Sequence, residues 1–150
     1  MSKRRVILLT VAAFLTGCAS APKPVGPSPF LEPSSGAPNL FVSRPDTGSA
    51  GAALDYFLYI DGHKGPKLDR GTKLQLRVAA GRRTLTVQPF FLGTVDSRAT
   101  STTIEVPSEG TVYARFGVAF GGFTFAPGVA LANLNFVIQQ VDIATWESGR

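Results

Sequence analysis

The chain has 150 residues, with 15 Lys and Arg against 10 Asp and Glu, a formal charge of +5, one cysteine and one histidine. A lone cysteine excludes an intrachain disulfide, and with a single histidine it excludes a zinc site built from Cys and His. Lys3, Arg4 and Arg5 account for three of the basic residues, and without them the remainder carries only +2, too little to mark a nucleic-acid partner.

In chain order, residues 1–17 read as a cleaved leader. A basic start is followed by Val6 to Leu15, ten residues broken only by Thr10. That run is too short for a bilayer span, which takes about 20 apolar residues. Leu15-Thr16-Gly17-Cys18 closes it with a branched apolar residue, small residues and a thiol. This is the bacterial lipoprotein signal, in which Cys18 receives a diacylglycerol and becomes the first residue of the mature protein. A rival cleavage after Ala19-Ser20-Ala21 would fall before Pro22, whose tertiary amide makes a poor cleavage site. One acyl chain binds membranes reversibly, whereas two or three hold permanently. The membrane is therefore the first expected partner, reached through the lipid on Cys18. Ala19 and Ser20 stand where an aspartate would signal inner-membrane retention, so the expected address is the outer membrane, facing the periplasm.

Residues 18–38 read as the lipidated cysteine and a Pro-rich linker. Pro22, Pro24, Pro27, Pro29, Pro33 and Pro38 favour an extended polyproline II tether. At about 3.1 Å per residue it would stand the domain off the membrane by roughly 60 Å.

Residues 39–150 read as one all-β domain, a small antiparallel β-sandwich of about seven or eight strands. Asn39 to Arg44 is a short strand ended by Pro45, and Thr47 to Ala53 is a loop. Leu54 to Asp61 alternates, with Leu54, Tyr56, Leu58 and Ile60 on one face. Asp61-Gly62 is a type I′ hairpin signal and leads into a return strand, His63 to Leu68. Thr72 to Val78 turns Leu74, Leu76 and Val78 inward. Gly81 breaks the chain before a strand carrying Leu85 and Val87 that ends at Pro89. Ala99 to Val106 and Val112 to Phe120 flank a Pro107–Gly110 turn. Val129 to Ile143 alternates Leu134, Phe136 and Ile138 against Asn133, Asn135 and Gln139. Helical periodicity is absent outside the leader.

Four phrases occur in a familiar order: Phe41-Val-Ser-Arg44-Pro45; Tyr59-Ile60-Asp61-Gly62 with Lys64-Gly65; Gly81 followed by Thr84-Leu85-Thr86-Val87; and Gly110-Thr-Val-Tyr113. Together they resemble a group of small bacterial lipoprotein domains of unknown function that is similar in look to PEGA domains. The resemblance implies a small β-sandwich and no established catalysis. Asp61, Gly62 and Gly81 are then structural turns, Tyr113 packs its ring, and Arg44 is the residue of that pattern to examine for partner contact.

Catalytic residues, metal ligands and cofactors are not expected. His63, the only histidine, falls beside an exposed turn and has no nucleophile system around it. Asp55 and Asp61 share a strand face about 20 Å apart, beyond the reach of a glycosidase pair. Phe116 to Ile138 carries no formal charge over 23 residues, yet its glycines, Pro127 and two asparagines favour a hairpin over a spanning helix. Phe120, Phe123 and Phe125 near its tip are candidate partner contacts. The expected function is a lipid-anchored, non-catalytic interaction or structural module of the envelope, with an envelope protein as partner. The alternative is a module binding glycan or a small apolar ligand near Phe120 to Phe125.

Overall fold

A computed structural model describes residues 20–46, 52–126 and 129–148. The leader, Cys18 and the Thr47–Gly51 part of the first loop lie outside the described residues. The strands are β1 (Leu40–Ser43), β2 (Asp55–Ile60), β3 (His63–Lys67), β4 (Lys73–Leu76), β5 (Gly81–Phe91), β6 (Thr94–Val95), β7 (Thr100–Val106), β8 (Val112–Ala126) and β9 (Val129–Val141), followed by a helix α1 (Ile143–Ser148). One sheet runs β4-β1-β8-β9. The other runs β3-β2-β5, with β6 and β7 both pairing along the far edge of β5. The two sheets face each other in a sandwich-like all-β fold that does not close into a barrel.

Period-two alternation sets the core. Leu40 and Val42, then Tyr56, Leu58 and Ile60, Leu85 and Val87, Ile104 and Val106, and Val112, Ala114 and Phe116 point inward from successive strands. Tyr59 has the opposite parity and is nonetheless buried, while Leu74 and Leu76 on the edge strand β4 are only half-buried.

Three details correct the sequence reading. The sandwich is not antiparallel throughout: β1 runs parallel to β8, Leu40 beside Val112. Parallel neighbours need a long crossover rather than a tight turn, and here the chain visits the other sheet before β8 returns. The strand expected to stop at Pro89 continues to Phe91. The Pro89 carbonyl accepts the Asp96 N–H on the β6 side. The missing proline donor points the same way, into the gap between β7, which pairs as far as Val87, and β6, which starts at Phe90. Last, β9 stops at Val141 and α1 follows. Its first turn is capped by Asp142, whose Oδ1 accepts the Thr145 N–H at 2.7 Å. Trp146 then packs on Phe41 and Tyr113, with ring centroids 5.4 and 5.5 Å away.

The Pro-rich segment also differs from a free spacer, because from Val25 onward it is laid along the domain. The Val25 N–H donates to Asp61 O at 2.9 Å, the Leu31 N–H to Arg77 O at 3.0 Å, and Ala79 returns a bond to Pro29 O at 2.8 Å. Phe30 forms a β-bridge with Val78 and packs against the core. Its ring also lies over Gly65, where an added Cβ would sit 2.7 Å from Phe30 Cζ. An extended proline-rich backbone is already close to strand geometry, and its non-proline residues supply the donors that the prolines lack.

Asn39 joins this strap to the sandwich. Its side chain is buried, accepts the Val78 N–H at 2.9 Å, and donates to Val78 O at 2.8 Å and Pro107 O at 3.1 Å. Asn39→Ala leaves both polar groups of Val78 without their side-chain partner. We expect a loss of about 2–4 kcal/mol, measured by urea unfolding, with Asn39→Asp recovering only the accepted bond.

Candidate functional site

Cys18 and the Leu15-Thr16-Gly17 box lie outside the described residues. Three regions can be built from the described ones.

The first is the β8–β9 hairpin. β1 pairs with β8 only as far as Arg115, and among the described residues β9 pairs only with β8. Beyond that point the two strands form a ribbon, with a register shift between Phe120 and Gly122. Gly122 has φ +107°, a backbone that side chains rarely adopt. The apolar run is thus a hairpin, and among the described residues no helix is long and apolar enough to cross a membrane. Phe120 is half exposed, at 52 %. The side chains of Phe123 and Phe125 lie outside the described residues.

The ribbon is rooted in aromatic packing. Tyr56 from the second sheet meets Phe116 at 5.1 Å and Phe136 at 5.7 Å, with Phe116 and Phe136 at 6.4 Å. Arg44, the residue singled out to examine for partner contact, is buried at one end of this group. Its guanidinium sits 4.3 Å over the Tyr56 ring and donates from Nη1 to Leu68 O at 2.8 Å. Burial pulls its pKa below the ordinary arginine value, and Tyr56 opposes that pull. The charge is held by ring faces and a carbonyl. Arg44 is therefore a buried packing residue among the described ones.

Arg98 lies at the other end, 5.5 Å over Phe136. It is gripped by Asp96, which accepts the Arg98 N–H at 2.9 Å and Nε at 2.8 Å on Oδ1 and Nη2 on Oδ2. Those bonds hold the Asp96 carboxyl below its ordinary range, against the opposing effect of burial. A depressed folded-state pKa gives stability that is present above the unfolded value near 4 and lost as pH falls through the folded one. Thermal unfolding followed across that acid window is expected to fall less steeply in Asp96→Asn than in the native protein.

The third region is a cleft at the Asp61-Gly62 turn. Asp61 and Gly62 have φ +50° and +78°, as the type I′ reading requires. Asp61 does more than turn: it accepts Thr84 N–H at 2.8 Å on Oδ1 and Arg83 Nη1 at 3.0 Å on Oδ2. Arg83 also donates to Ala79 O and Ala80 O, bracing the entry to β5 at Gly81, which has φ +111°. The strap crosses beside this turn, with Lys23 O so near Gly62 that no Cβ would fit there. His63 Nε2 donates to Gly26 O at 3.0 Å. Between the strap and the β5 outer face lies a cavity of about 520 Å³, lined by Lys23, Asp61, Arg82, Arg83, Thr84 and Thr86 among others. Lys23 and Arg82 make no ion pair among the described residues. Sequence reading missed this cleft because Lys23 and Arg82 are 59 positions apart. The only local hint was an arginine at alternating parity with Thr84 and Thr86.

Among the described residues no group of three or more His, Cys, Asp or Glu side chains is placed to hold a metal. Comparison with family models, with curated proteins and with solved structures finds no match.

Proposed function

We propose that the chain is a bacterial lipoprotein, anchored through lipid on Cys18 at the outer membrane and facing the periplasm, whose sandwich serves as a non-catalytic interaction or structural module of the envelope. The observation that carries this reading is the Leu15-Thr16-Gly17-Cys18 box, which places the chain's one thiol directly after a basic and apolar leader. The resemblance to PEGA-like lipoprotein domains agrees with an all-β domain of two sheets. An interaction role draws support from the β8–β9 ribbon. Among the described residues no third strand pairs with it beyond Arg115, and open strand edges and apolar ribbons are what β-augmentation uses. The partner is then an envelope protein that adds an extended segment to that edge.

The test is intact-mass analysis with membrane fractionation. Native protein is expected in the membrane fraction, lacking residues 1–17 and carrying acyl mass on Cys18. Cys18→Ser is expected to release a soluble, folded domain. A bare thiol with the leader still attached overturns the proposal, and a Cys18→Ser protein that stays membrane-bound moves the anchor to the apolar ribbon.

A further inference from the structure

The strap changes how far the domain can stand from its anchor. Val25 is fixed to Asp61 by a backbone bond, so only seven residue-to-residue steps separate residue 18 from a fixed point on the domain. Even fully extended they reach about 25 Å, against the roughly 60 Å of a free tether. Lys23 is nearer still, at most about 18 Å of chain from Cys18.

The cleft therefore opens on the stretch of chain that leads straight to the lipid. Its wall carries Lys23, Arg82 and Arg83 against the single carboxylate of Asp61, which is already bound by Arg83 and the Thr84 N–H. Glu105 stands opposite Arg82 in the β5–β7 register, yet the two make no ion pair. Two cations thus face the cavity without a partner carboxylate among the described residues, and Thr84 adds an exposed hydroxyl. A tetrahedral oxyanion with no cation of its own matches this set, because lysine and arginine bind phosphate by charge and by directed N–H groups.

We propose that this cleft takes the phosphate of an anionic lipid headgroup from the membrane in which Cys18 is anchored, clamping the domain flat against the bilayer. The placement rests on the lipoprotein reading, whereas the phosphate chemistry rests on the cleft alone. The test uses isotope-labelled protein extracted from membranes into a neutral maltoside detergent. Amide resonances of Gly62 and Thr84 are followed while dihexanoyl phosphatidylglycerol, dihexanoyl phosphatidylcholine and inorganic phosphate are added separately. The proposal expects saturable shifts with phosphatidylglycerol, at least tenfold weaker binding with phosphatidylcholine, and at least tenfold weakening in Arg82→Gln and in Lys23→Gln. Both side chains are exposed, and an unchanged thermal midpoint shows that each variant is folded. No shift, or equal response to both lipids, overturns the proposal. A response to inorganic phosphate as strong as to phosphatidylglycerol assigns the cleft to a free anion and overturns the membrane source. Intact mass on the same sample separates the two claims: a bare Cys18 removes the anchor while the titration still reports on the cleft.

Discussion

The passage from one sheet to the other, at Arg77 to Gly81, depends on being held from two sides. On one side the strap bonds to Arg77 and Ala79 through Leu31 and Pro29, and Phe30 bridges Val78. On the other, the Asn39 side chain occupies both polar groups of Val78. Val78 itself is fully buried. A crossover buried in this way needs all of its backbone groups satisfied, and here a segment of proline-rich chain supplies part of that satisfaction. The strap is consequently part of the sandwich, and it fixes where the N-terminal end of the chain leaves the domain.

At the opposite region of the fold, a different chemistry holds an unusual element. A two-stranded ribbon with few neighbours is marginal by itself, and β8–β9 is secured at its base by the rings of Tyr56, Phe116 and Phe136. Arg44 and Arg98 cover the ends of that group with their guanidinium planes. Leu68 O holds the buried charge of Arg44, and Asp96 grips the more exposed Arg98. The arrangement brings the two sheets together at the base of the ribbon. In the proposed reading, one part of the molecule addresses the membrane through the strap and another presents strand edges to a partner.

Much of the sandwich was legible because strands announce themselves locally. The alternation of Tyr56, Leu58 and Ile60, the Asp61-Gly62 turn, and the Asn133/Leu134 to Ile138 alternation each depend on neighbours only a few residues apart. The illegible parts depend on distant partners. Arg44 reads as a solvated charge until Tyr56 and Phe116 are placed around it. Parallel pairing of β1 with β8 joins residues about seventy apart. Prolines 22 to 38 read as extended chain, but composition says neither that Pro33–Ser35 forms a short 3-10 helix nor that the segment lies against the domain. The helix α1 spans six residues, too few to show a period. For the candidate site, the Leu15-Thr16-Gly17-Cys18 reading rests on four adjacent residues, whereas the cationic cleft exists only once the strap is docked.

Backbone amide hydrogen exchange on the purified protein tests the strap most directly. Docked as described, the amides of Val25, Leu31 and Ala79 exchange slowly, in step with the core amides of β5. Exchange of all three at the rate of unstructured chain, with β5 still protected, would show a loose spacer and contradict the docked strap.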